Sequence, residues 1–234
     1  VEGEKTELAM LDLLKNVPPS AGDGSPVLVL LHGRGSHMGD LQGLARLLPP
    51  GGALVTPQAP HAGAPWGYGP GWAWYRYLGE DRVEPESLGA SLEALERLLA
   101  ALAETVGFQP GPVVLGGFSQ GGTTSLAYAL THPDAVAGVV NLSGFLVDGE
   151  GLDLPAPGLG ETPLFWAHGT QDPAVPFTLA VRGRKALEAA GARMEARDYP
   201  MGHWVGPDEM GDLADWLKRE IPGWRGRPPG KRTP

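Results

Sequence analysis

The chain has 234 residues and a formal net charge of −9, from 18 Lys and Arg against 27 Asp and Glu. That length suits one sizeable core, so a single domain over residues 1–222 is expected, and the acidic balance excludes a phosphate-tracking surface built from clustered cations; nucleic acid is not an expected partner. The absence of cysteine removes disulfides, thiolate metal sites and a cysteine nucleophile together, and no apolar run reaches the roughly 18 residues of a membrane span.

In chain order, β-rich apolar runs and helical periodicities alternate. A strand over 27–31 is followed by a helix over 41–48, a strand over 53–55 and a long helix over 85–106. In that helix Leu88, Leu92, Leu95, Leu99 and Leu102 recur at spacings of three and four, which builds one buried stripe. A strand over 113–115, a helix over 120–131, and strands over 136–142 and 164–167 come next. A helix over 177–190, a more polar strand over 193–199 and a helix over 207–220 complete the series. Short apolar strands separated by helices call for a mostly parallel sheet covered on both faces, a doubly wound α/β fold whose ligands bind at the carboxyl ends of the strands.

Two stretches break this rhythm. Residues 59–77 carry His61, Trp66, Tyr68, Trp72, Trp74, Tyr75 and Tyr77 among many glycines. Their rings either pack over the loop itself or line a groove or lid. Residues 223–234 are rich in Pro, Gly and Arg and are expected to form a poorly ordered tail. The opening Val1-Glu2-Gly3-Glu4-Lys5 has neither a basic start nor an apolar signal core, so a cytoplasmic location is the expectation.

The sharpest local signal is Gly117-Phe118-Ser119-Gln120-Gly121, between the strand-like Val113-Val114-Leu115 and a helical run. A serine on such a strand-to-helix turn is held on a strained backbone, and the flanking glycines let strand and helix approach each other. The helix N-terminus offers free N–H groups to a developing oxyanion. A plain helix cap is the bland alternative for Ser119.

A serine hydroxyl needs a base to become a nucleophile. Of six histidines, His203 follows the last strand and precedes the last helix, on the same sheet edge as Ser119. His132 ends a helix on the opposite side, His32 and His168 precede glycines at strand ends where loop backbone can hold them, and His37 and His61 lie in loops. The imidazole needs a carboxylate to fix its tautomer. Asp172 follows the penultimate strand, with Asp153 as reserve and an ordinary turn before Pro173 as the bland reading. The backbone N–H groups of Gln120 and of Arg34, in the loop after the first strand, are the candidate oxyanion donors.

Taken together, Leu30-Leu31-His32-Gly33, Thr56-Pro57-Gln58-Ala59-Pro60, Gly116-Gly117-Phe118-Ser119-Gln120-Gly121-Gly122, His168-Gly169-Thr170-Gln171-Asp172-Pro173 and Gly202-His203 resemble the phospholipase/carboxylesterase family of α/β-hydrolases. The resemblance runs from about residue 27 to 217. It implies an α/β-hydrolase fold, a triad of Ser119, Asp172 and His203, oxyanion donors at Arg34 and Gln120, and hydrolysis of carboxylic esters with no metal or organic cofactor. A lysophospholipase, an acyl-protein thioesterase and a catalytically silent binding protein of the same fold are the alternatives. The implied partner is a small-molecule ester or acyl substrate, with a homodimer as the alternative to a monomer. Arg34 and Trp204 depart from the family's usual residues beside the pocket.

Overall fold

A computed structural model describes residues 10–148 and 159–224. Its strands are β1 (Leu13–Asn16), β2 (Val27–Leu31), β3 (Ala53–Pro57), β4 (His61–Ala62), β5 (Trp72–Ala73), β6 (Tyr77–Gly79), β7 (Arg82–Val83), β8 (Val113–Phe118), β9 (Gly138–Leu142), β10 (Leu164–Gly169) and β11 (Met194–Tyr199). The helices are α1 (Pro85–Ala100), α2 (Leu102–Val106), α3 (Gln120–Thr131), α4 (Phe177–Ala189) and α5 (Pro207–Glu220).

Seven strands form the main sheet in the order β1-β3-β2-β8-β9-β10-β11. All neighbours run parallel except β1, which pairs antiparallel with β3. Successive side chains of a strand point to opposite faces, and this divides the interior. Val27, Val29 and Leu31 of β2 pack with α1, α3 and α4, whereas Leu28 and Leu30 pack with α5. Both faces are therefore covered, as the doubly wound reading requires.

Several expected elements change in detail. Residues 41–48 form only a short 3-10 turn, Gln42–Leu47, with no buried residue, ending before Pro49 and Pro50. The long helix breaks at Ala101, where φ −94° and ψ 11° interrupt it before α2. Strands β3, β8 and β10 run past their apolar cores, because neighbours on both sides continue the ladder, in β8 through residues of low β-propensity such as Gly116 and Gly117. The first two residues of the expected tail, Gly223 and Trp224, are described. Trp224 is 3% exposed and packs against the α5 side of the core; the rest of that segment, and Asp153, lie outside the described residues.

Candidate active site

Ser119 sits between β8 and α3 with φ 56° and ψ −116°, a left-handed conformation that costs a residue with a Cβ on the order of 1–3 kcal/mol. The surroundings hold it there. Its N–H donates to the carbonyl of Leu142 at 2.7 Å, and its own carbonyl accepts the N–H of Thr123 at 3.0 Å. Gly117 and Gly121 face each other and the end of β2 so closely that a Cβ on either would be driven into backbone atoms. Gln120 opens α3, so its N–H has no acceptor within the helix, and the residue lines the cavity beside Ser119.

The side chain of Gln120 has a separate task. Its Oε1 accepts the N–H of Trp74 at 2.8 Å, and its Nε2 donates to the carbonyl of Tyr75 at 2.7 Å. Trp74 in turn donates its indole N–H to the carbonyl of His32 at 2.9 Å. This clamp ties residues 72–77 to the turn around Ser119. Across residues 66–77 the rings divide: Trp66 and Tyr68 meet edge to face, Trp74 and Tyr75 are buried, and Tyr75 and Tyr77 meet Phe145. Sequence reasoning missed Gln120 as a clamp because its partners lie about 46 residues away and depend on tertiary approach.

His203 and Asp172 come from neighbouring loops at the ends of β11 and β10. The loops are laced together: the N–H of Thr170 donates to Tyr199 at 2.8 Å and that of Gln171 to Met201 at 3.0 Å. Gly169 lies so near Met201 and Gly202 that a Cβ would collide with their carbonyls. The Ser119 hydroxyl meets His203 Nε2 at 2.9 Å, and His203 Nδ1 meets Asp172 Oδ2 at 2.6 Å. The other carboxylate oxygen, Oδ1, accepts the N–H groups of Ala174 and Val175, each at 2.8 Å. The structure thus joins the three residues in one hydrogen-bonded chain, with the carboxylate buried and the imidazole partly open. Phe118 covers one side of the His203 ring, 4.7 Å away.

The remaining histidines are held elsewhere. His32 donates from Nδ1 to Gly33 and accepts the Ala59 N–H at Nε2, and burial holds its pKa below the usual value. His61 bonds the carbonyl of Ser87, His37 the N–H of Gly39, and His132 stacks on Tyr128. His168 donates to the carbonyl of Val175. Among the described residues no group of three or more His, Asp or Glu side chains is arranged to hold a metal ion. No helix among them is long and apolar enough to cross a membrane.

A cavity of about 250 Å³ opens on Ser119 and His203. Tyr75, Phe118, Phe145, Val175 and Leu179 give it apolar walls, and Arg34, Asp40 and Glu80 bring charge to it. The Arg34 guanidinium lies over the rings of Tyr68 and Tyr77, 4.9 and 5.8 Å from their centres, a cation–π arrangement.

The family model for Phospholipase/Carboxylesterase matches residues 15–221. The chain belongs to the phospholipase/carboxylesterase family. Membership makes it a hydrolase with the α/β-hydrolase fold. A probable carboxylesterase of Oryza sativa subsp. japonica is 30% identical over 172 residues, covering 70% of this chain and 65% of the rice protein. An acyl-protein thioesterase 1 of Aspergillus fumigatus is 28% identical over 222 residues, covering 88% and 92%. Among solved structures, esterase PE8 superposes with a TM-score of 0.76 at 25% identity, covering 91% of this chain and all of that one.

Proposed function

We propose that this family member is a serine carboxylesterase that hydrolyses carboxylic esters through an acyl-enzyme. Ser119 is the nucleophile, His203 the general base and Asp172 the acid that orients it. The supporting observation is the continuous chain Ser119 Oγ, His203 Nε2, His203 Nδ1, Asp172 Oδ2, with links of 2.9 and 2.6 Å.

In this reading Ser119 Oγ attacks the ester carbonyl while His203 Nε2 takes its proton. Asp172 accepts from Nδ1–H, which fixes the tautomer and steadies the imidazolium. The oxyanion is met by the backbone N–H groups of Gln120 and Arg34, each such donor contributing about 3 kcal/mol to the transition state. His203 returns the proton to the departing alcohol, and water repeats the sequence to release the acid. The apolar walls suit an acyl chain. A volume of about 250 Å³ lies just below the usual range of ligand pockets, roughly 300 to 1,000 Å³, so short acyl groups fit best.

The test is hydrolysis of p-nitrophenyl acetate, butyrate and palmitate by the wild type and by Ser119→Ala. Wild-type turnover should be fastest on the short esters, and the variant should lose on the order of 10⁶ in kcat. Full activity in the variant rejects Ser119 as nucleophile, and an inactive wild type rejects the ester class. A thioester is the second substrate reading, favoured by the long alignment with the Aspergillus fumigatus acyl-protein thioesterase 1. Turnover of matched short thioesters and oxoesters separates the two.

A further inference from the structure

His168 is the penultimate residue of β10, four residues before Asp172, and its side chain is wholly buried. Its Nε2–H donates to the carbonyl of Val175 at 2.9 Å and lies 3.6 Å from Asp172 Oδ2, the same oxygen that accepts from His203. The N–H of Val175 donates back to Asp172 Oδ1. A closed ring results: His168 holds Val175, and Val175 holds Asp172. A carbonyl only accepts, so Nε2 must carry the proton.

The charged or titratable groups facing His168 are Asp172, His203 and, from α4, Arg184; the ring of Phe177 lies 6.0 Å away. Burial holds the His168 pKa below its usual value and so favours the neutral ring. Its Nδ1 has no hydrogen-bond partner among the described residues. An unpaired buried nitrogen costs about 1–3 kcal/mol, which an apolar side chain of similar size would avoid. Packing alone therefore gives no reason for a histidine here.

We propose that His168 is a positioning residue that acts through Asp172, clamping the 172–175 turn so that Oδ2 meets His203 and balancing part of the carboxylate charge with its Nε2–H dipole. The inference rests on the hydrolase reading above. Without that dipole, the carboxylate would hold a proton on His203 more tightly, so the acidic limb of the kcat/KM profile would move to higher pH. Loosening of the site alone would lower the rate and leave the limb in place or move it to lower pH.

The experiment compares His168→Gln with His168→Asn on p-nitrophenyl acetate across pH 5–9. The Gln amide nitrogen reaches the place of Nε2, whereas that of Asn reaches only the place of Nδ1. The Asn variant should lose roughly 10- to 100-fold in kcat/KM with its acidic limb displaced upward, and the Gln variant should recover most of both. Equal losses in the two variants, or wild-type profiles in both, overturn the proposal. A second measurement needs neither variant to fold. Imidazole ¹⁵N shifts of the wild type at pH 8 should show His168 as a neutral Nε2–H tautomer; an Nδ1–H tautomer overturns the proposal. Because the tautomer is read without substrate, and Ser119→Ala tests the hydrolase reading directly, the two failures are distinguishable.

Discussion

At Gly121 the chain has no room for a methyl group, since a Cβ there would be driven into the carbonyl of Leu31 at the end of β2. Backbone cannot yield as a flexible side chain does, so Gly121→Ala should destabilise the fold by about 3 kcal/mol or more. Gly89, within α1, provides the contrast: nothing lies within 4 Å of its notional Cβ, and Gly89→Ala should stabilise by about 0.5–1 kcal/mol. Denaturant midpoints measured side by side check both signs. The same local crowding explains what was readable in the site. Ser119 announces itself through glycines placed where strand and helix must touch, and His203 and Asp172 through their positions after β11 and β10. The Gln120 clamp on Trp74 and Tyr75 and the approach of His168 to Asp172 had no such signal, because they arise only when distant loops converge.

The N-terminus of α5 carries a buried acid. Glu209 accepts the N–H of Gly206 at 3.1 Å through Oε2, is fully buried, and leaves Oε1 without a partner among the described residues. Burial pushes its pKa up from an ordinary 4.5 to about 7. Below pH 4.5 the group is protonated in both states and contributes nothing. Between 4.5 and 7 the unfolded chain gives up the proton while the folded one keeps it, so stability falls as pH rises and the full cost, roughly 3 kcal/mol, applies above 7. Glu209→Gln keeps an acceptor for Gly206 and removes the charge. It should raise Tm by on the order of 5 °C at pH 8 and hardly at all at pH 5, as thermal melts at the two values would show. Helices α3 and α5 were legible from sequence with the bounds they adopt, because caps, glycines and prolines frame an apolar face. Strand β1 was not, since three of its four residues are exposed and an edge strand shows no alternation. The pairs β4–β5 and β6–β7 escaped for another reason: strands of two or three residues carry no period.

Across the whole molecule, the two ends of the sheet have different tasks. Ser119, Asp172 and His203 all follow the carboxyl ends of strands, where loops are free to diverge from the ladder and shape a pocket. The amino ends are closed by packing. Trp224 lies there, its indole so close to Gly52, just before β3, that a Cβ at Gly52 would collide with it, while Gly223 approaches Pro26 before β2. It joins Trp216, Ile221 and Leu54 in the core on the α5 side, so residues beyond α5 contribute to the fold although their composition suggests a loose tail. Trp224→Ala would leave a large cavity and should cost about 3–5 kcal/mol, or a fall in Tm on the order of 10 °C for a domain of this size. The sheet separates this position from the site by the length of its strands, and sites without shared partners act independently. Turnover of p-nitrophenyl acetate at 20 °C should therefore stay within about twofold of wild type while the protein remains folded. A parallel loss of rate and stability would mean instead that packing at the amino edge is transmitted through the sheet to the loops that carry Asp172 and His203.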